Sequence, residues 1–329
     1  MTPRASRRAG VAMLALMASV AALAPWLSPH DPATQFADFS YAPPMRPRVI
    51  DDEGRWRRPF VYPLRLVDRL ERRYAEDRST PVTIRFFSGR AIADGDAGSS
   101  PWLPLGADAL GRDVFARAAR GARTSLGVAA VAAAMALAIG ALVGAVAGYT
   151  GGTTDEILMR ITDIILVLPV VYVVLTLRAA MPLVLSPGQV FVTMALVLAL
   201  AGWAFPARAV RAIVAGERRR EYAEAAYAIG AGPVRILLRH LLPAARGAMA
   251  VQATLLLPAF ILAEATLSFV GFGFAEPLPS WGLMLQQAAQ VGIVADAPWL
   301  LAPAAAIVFC VLGLQLAAGS PAGPTAPRP

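Results

Sequence analysis

The side chains best suited to chemistry are few and widely separated. The 329-residue sequence has two histidines, His30 and His240, and one cysteine, Cys310. A zinc site needs several His, Cys or carboxylate ligands converging on one point, and a nucleophilic thiol needs a neighbouring base. Neither pattern occurs: His30 lies between Pro29 and Asp31 in a turn-like stretch, and Cys310 lies inside an apolar run. Ser125 and Ser268 have no base nearby and read as helix-packing hydroxyls. No G-x-x-x-x-G-K-[ST] phosphate loop is present, so ATP is expected to bind elsewhere. Nothing in the sequence looks catalytic, which counts against an intramembrane enzyme. Glu264 is different, because it interrupts an apolar run seven residues before Gly271. That places it about 10 Å inside the end of a helix rising 1.5 Å per residue. A carboxylate there needs a partner. It is either a pathway or gating residue, or a hydrogen-bonded packing residue. Pro258 in the same run is expected to kink the helix and assist rocking.

The elements around these residues are set by composition. The chain is 57% apolar and 16% charged, with mean hydropathy +0.56. A soluble domain is about a quarter charged, so this balance implies repeated membrane segments and excludes disorder and a disulfide-stapled fold. A span needs about 20 mostly apolar residues. Segments 10–27, 124–148, 189–205, 248–271 and 299–317 meet that length. A third span in chain order, 164–177, is shorter and flanked by Arg160, Asp163 and Arg178; it is counted as spanning because the loop charges then alternate.

Short cytoplasmic loops carry an excess of arginine. The start has Arg4, Arg7 and Arg8, and the segment 208–246 has eight arginines against three glutamates. The segment 272–298 has no arginine. Six spans put both termini in the cytoplasm and 28–123 outside; that loop is long enough for its 16 arginines not to determine orientation. The first span could be a signal peptide cut after Ala22-Leu23-Ala24, but Pro25 disfavours cleavage and the span is expected to be retained. Within the outer loop, Val61–Tyr74 reads as a short amphipathic helix and Pro81–Phe87 as a short strand. The second span has small residues every four positions, Ala132, Ala136, Gly140, Gly144 and Gly148. They form one smooth face that lets another backbone approach closely.

The most informative stretch is Glu221–Pro243, EYAEAAYAIGAGPVRILLRHLLP. Its first half reads as a helix, Gly230 to Gly232 break it, and Pro233 suits the first turn of a second helix. A helix-turn-helix between two spans must bury an apolar side, and a soluble partner docking from the cytoplasm would cover it.

Glu224-Ala225-Ala226, Gly230 and Leu242-Pro243 resemble the hallmark of permease subunits of binding-protein-dependent ABC importers, with His240 where the general pattern has Ile. Leu105-Gly106-Ala107-Asp108-Ala109-Leu110-Gly111-Arg112-Asp113 is similar to the Leu-Gly-Thr-Asp-x-x-Gly-Arg-Asp segment of the dipeptide and oligopeptide branch, Ala107 replacing Thr. Leu262 to Gly273 and Pro279-Ser280-Trp281-Gly282 look like that branch's fifth span and following loop. The resemblance covers about 106–316 and implies an all-α membrane protein of six helices in the type I importer fold, with an external region after the first helix. It further implies that Glu224, Ala225, Ala226, Gly230, Gly232 and Pro243 form a coupling loop for two cytoplasmic ATPase subunits. These would hold the ATP and magnesium; this chain itself would need no cofactor. A second homologous permease and an external binding protein complete the implied assembly in a bacterial inner membrane. The regions read as 1–27, the outer loop 28–123, the transport domain 124–317 and a disordered tail 318–329, which lacks the branch's usual Leu-Asp-Pro-Arg ending. The +8 charge then marks orientation and a docking face rather than nucleic acid. A secondary transporter or channel needing no ATPase is the competing reading. It predicts midplane charges or an inverted repeat.

Overall fold

In the computed structural model, residues 3–318 are described except 29, 70, 87–92, 95–99, 169–171, 173–175, 177–184 and 290–294. The chain divides into two compact units: Met1–Gly10, Gly127–Glu264 and Leu314–Pro329 form one, and Val11–Leu126 with Ala265–Gly313 the other. The main helices are α1 (Pro3–Leu27), α2 (Val114–Thr150), α3 (Gly152–Val167), α4 (Pro187–Gly202), α5 (Ala204–Glu217), α6 (Glu221–Ala228), α7 (Pro233–Ile236), α8 (Arg246–Phe269), α9 (Trp281–Gln287) and α10 (Ala302–Ala318). π-helical and 3-10 turns, Leu237–Leu241 and Leu242–Ala245, join α7 to α8.

Four helical stretches are long and apolar enough to cross a membrane: Arg4–Leu27, Val114–Thr150, Pro233–Phe269 and Pro298–Ala318. The pair α4 and α5, bent by 47° at Trp203, makes a fifth if it is one span. Six spans therefore become four or five among the described residues. The third expected span runs into residues 169–171, 173–175 and 177, outside the described residues; its described part belongs to α3, which begins at Gly152 and carries Asp155, Glu156, Arg160 and Asp163. The tail 319–329 lies outside them as well. Helix α2 begins ten residues before the expected Thr124.

The all-α expectation needs correction between residues 48 and 94, where seven short strands occur. Strands β1 (Arg48–Ile50), β2 (Trp56–Val61) and β5 (Val82–Thr83) form an antiparallel sheet; β3 (Leu64–Asp68) pairs with β4 (Arg73–Glu76), and β6 (Arg85–Phe86) with β7 (Ala93–Asp94). The amphipathic helix expected over Val61–Tyr74 is thus a β-hairpin, with Leu64 opposite Glu76 and Leu66 opposite Tyr74. Leu64 and Leu66 alternate with Arg65, and cross-strand partners settle a choice that the apolar spacing alone leaves ambiguous. The strand expected at Pro81–Phe87 appears as β5 and β6, with Phe87 outside the described residues. Val61, Leu64 and Ile84 pack with Phe39, Ala42, Met45, Trp102 and Leu103 in a small core.

In the first unit, the smooth face of α2 meets α5. A methyl group on Gly140 would lie 2.8 Å from Trp203 O, on Gly144 2.3 Å from Ala207 O, and on Gly148 2.7 Å from Arg211 O. These glycines bring backbone against backbone, as small residues do in membrane helix pairs. Upstream on the same face, Ala132 and Ala136 are fully buried.

Candidate functional site

The segment 221–243 is shaped by helix caps. Helix α6 buries Ala223 and Ala226 beside Ala145 of α2, Val210 and Val214 of α5, and Ile236, Leu241 and Ala245 beyond the turn. The helix stops at Gly230, whose φ of +84° suits glycine because it lacks a Cβ. The Ala231 N–H donates to Ala226 O and the Gly230 N–H to Tyr227 O, both at 3.0 Å. This 6→1 and 5→2 pair is the Schellman cap. It gives a physical reason for the spacing Ala226…Gly230, since the residue supplying the outer carbonyl stands four before the left-handed glycine. Gly232 then caps α7, with Pro233 in its first turn.

The rest of the segment is open. Glu224, Ala225, Gly230 and Gly232 are exposed and Pro243 is half-buried. Tyr227, Ile229, Val234 and Leu238 are exposed to 74, 86, 67 and 59%. Four large apolar side chains are thus uncovered within 12 residues of a turn-rich segment, exposure of the kind that marks an interaction surface. Among the described residues no ion pair is formed by Arg219, Arg235, Arg239 or Arg246 around it.

In the second unit, the segment 105–113 is an anchor for the start of α2. Gly106 and Gly111 both have φ of +72°. A methyl on Gly111 would lie 2.0 Å from Phe36 O, and one on Gly106 2.6 Å from Ala42 O. Asp108 Oδ1 accepts the Leu110 and Arg112 N–H groups, and its Oδ2 accepts Arg112 Nε at 2.7 Å. Asp113 caps α2, its Oδ1 accepting the Phe115 and Ala116 N–H groups at 2.8 and 3.3 Å. Its Oδ2 accepts the Ser28 hydroxyl at 3.3 Å and lies 3.0 Å from His30 Nδ1, tying the turn after α1 to the start of α2.

Three residues outside the sequence motifs complete this anchor. Arg117 is wholly buried and donates to Glu276 at 2.8 Å and to Gln287 at 3.0 Å; Arg112 also reaches Glu276 at 2.9 Å. Burial alone would raise the Glu276 carboxyl, but hydrogen bonds from Arg117 and Gln287 and the two guanidinium charges outweigh it and hold it at about 2. No local signal links Arg117 to a residue 159 positions away. Trp281 is fully enclosed, its N–H donating to Ser125 Oγ and its Nε1 to Ala118 O. The serine thus serves packing, as its lack of a base suggests.

The structure does not bring Glu264 or Pro258 to the loop at 221–243. Glu264 is completely buried, and Pro258 lies buried in α8, which continues through it. Among the described residues no group of His, Cys, Asp and Glu could hold a metal.

Comparison with known proteins accords with this geometry. Residues 8–44 match the N-terminal TM domain of oligopeptide transport permease C. The chain is 36% identical over 225 residues to the oligopeptide transport system permease protein OppC of Bacillus subtilis, covering 68% of this chain and 70% of that one. It is 44% identical over 180 residues to the dipeptide transport system permease protein DppC of the same organism, covering 55% and 54%. It is 42% identical over 197 residues to OppC of Escherichia coli, covering 60% and 63%. The family model for the binding-protein-dependent transport system inner membrane component matches residues 140–319, more than half of the sequence and the whole of the loop with its caps. The chain therefore belongs to this family, the permease subunits of ABC importers.

Proposed function

We propose that the chain is one of two permease subunits of an importer for peptides or similar small solutes, and that Glu221–Pro243 is its docking loop for a cytoplasmic ATPase. The observation carrying this reading is the two-sided loop, with Ala223 and Ala226 seated in the protein and Tyr227, Ile229, Val234 and Leu238 uncovered. Covering such a side chain contributes about 1.5–3 kcal/mol in full, so a partner groove over these four residues provides a substantial part of an interface. The peptide class is supported by the names of the relatives.

In this proposal the chain crosses a bacterial inner membrane six times, the third crossing including α3. Both termini and the arginine-rich segment 208–246 face the cytoplasm, and the strand-bearing region between α1 and α2 faces outside. ATP and magnesium are held by the ATPase subunits, and an external binding protein delivers the solute. ATP would draw the two docking loops together, and the packed helices would carry that motion as rigid bodies.

The test is reconstitution of the complete complex with its binding protein in proteoliposomes. Peptide uptake driven by internal ATP is expected. Replacing Ile229 and Leu238 by Asp should abolish ATPase docking while the permease pair remains assembled. Uptake that proceeds without the ATPase subunits would favour a secondary transporter and overturn the reading.

A further inference from the structure

We propose that two ion pairs between α3 and α5 are clamps that make α3 follow the docking loop; this rests on the importer reading above. Arg211 Nε donates to both carboxylate oxygens of Asp155, at 2.9 and 3.1 Å, and its Nη2 also meets Oδ2. Three residues earlier in α5, Arg208 pairs with Asp163, eight residues further along α3. The partners run in opposite senses, so the two pairs fix the register of antiparallel helices.

The same stretch of α5 is held by α2. A methyl on Gly148 would strike Arg211 O, and one on Gly144 would strike both Ala207 O and Arg211 N. Arg211 thus meets α2 through its backbone and α3 through its guanidinium. Just past α5, Arg218 donates to Tyr149 O and, at 3.3 Å, to Thr150 O, which closes the end of α2 with a cation. The left-handed glycines Gly151 and Gly152 then turn the chain into α3. Helix α6 rests on this assembly through Ala223 and Ala226 against Ala145, Val210 and Val214.

The path from the docking loop is therefore continuous: apolar contact from α6 to α5 and α2, then from α5 to α3 through a packed interface clamped by the two ion pairs. Along the chain α3 joins α2 only through a two-glycine turn, so its packed interface with α5 and the two ion pairs across it are what can carry the motion sideways. A charge stripped of its partner near the lipid boundary is costly, which favours pairs that hold under load. Asp155 and Asp163 act through α5 and do not touch solute or nucleotide; they are positioning residues.

The experiment measures ATP hydrolysed per solute imported by the complete complex in proteoliposomes. Asp155→Asn and Arg211→Gln are each expected to retain at least half of the wild-type ATPase rate while ATP consumed per solute rises about fivefold or more. The exchanged pair Asp155→Arg with Arg211→Asp is expected to return the ratio to within twofold of wild type. Asp163→Asn provides an independent second clamp to break, with the same direction of change. A ratio unchanged in the single variants overturns the proposal. So does a parallel loss of ATPase and uptake that the exchange does not restore, since a merely structural pair behaves that way. A wild-type complex with no ATP-driven uptake would instead sink the importer reading itself.

Discussion

At residue scale, three glycines that look alike in sequence make different demands. Gly230 has a left-handed φ and open space around its Cα. Gly230→Ala should cost about 1 kcal/mol, the usual penalty of that conformation for an L-residue, and leave the subunit folded with weaker ATPase coupling. Gly232 has ordinary φ and equal space but caps α7, so Gly232→Ala should cost less than about 1 kcal/mol, through the weaker cap alone. At Gly111 a methyl would lie 2.0 Å from a backbone oxygen, so Gly111→Ala should sharply reduce the amount of folded protein recovered in detergent. The spacing of the loop motif is legible in the sequence alone. Its cause is not, because a cap depends on backbone angles that the letters Ala and Gly do not spell out.

Glu276 supplies a pH dependence at the same scale. Its carboxyl lies at about 2 in the folded chain against an ordinary 4.5. A depressed acid stabilises the fold in full above its ordinary value, and that contribution fades as pH falls from about 4.5 towards 2. Thermal unfolding of the purified subunit should show a drop in midpoint across that window, and Glu276→Gln should flatten the drop while lowering the midpoint at pH 7.

At the scale of elements, the seam between α2 and α5 and the cap on α2 are the joints to test. Gly144→Val should force the helices apart, because Ala207 O lies only 2.3 Å from where the first carbon would stand; subunit assembly should fail in co-purification. Asp113→Ala removes the acceptor for two N–H groups and should destabilise by about 1–2 kcal/mol, read as a lower unfolding midpoint. The four-residue repeat of small side chains announces the α2 seam, since a helix repeats nearly every four residues. The partner α5 is not announced, and neither is the role of Ser28 and His30, which lie 85 and 83 residues from Asp113. The hairpin at Leu64–Glu76 reads as a helix in sequence for a related reason: its apolar residues suit either period, and pairing between separate strands decides it.

For the molecule as a whole, the arrangement in the membrane can be read with the single cysteine. Cys310 is buried, so Cys310→Ser gives a background for placing new thiols. In that background Trp56→Cys should react with a membrane-impermeant maleimide in intact spheroplasts. In cells lacking the ATPase subunits Ile229→Cys should react only after permeabilisation; both positions are exposed in the chain by itself, at 79 and 86%. Labelling of both from the same side would refute the proposed topology. Composition makes the membrane class readable, because lipid imposes a length on every span; loop charge supplies the proposed orientation, which the labelling tests. The region between α1 and α2 obeys no such constraint: its strands at 82–86 follow from local pattern, whereas the hairpin at 64–76 is decided by pairing.

The cap at Gly230 also has a mechanical meaning. Helix α6 is eight residues long, about 12 Å at 1.5 Å per residue, and too short to hold its shape alone in water. Its end is locked by two hydrogen bonds around a residue of opposite hand, and its flank is seated on its neighbours. It can neither lengthen by recruiting Gly230 nor unwind without lifting from that seat. If the segment is the docking loop proposed above, its fixed length lets a push on its exposed side be passed to α5 through the seat formed by Ala223 and Ala226.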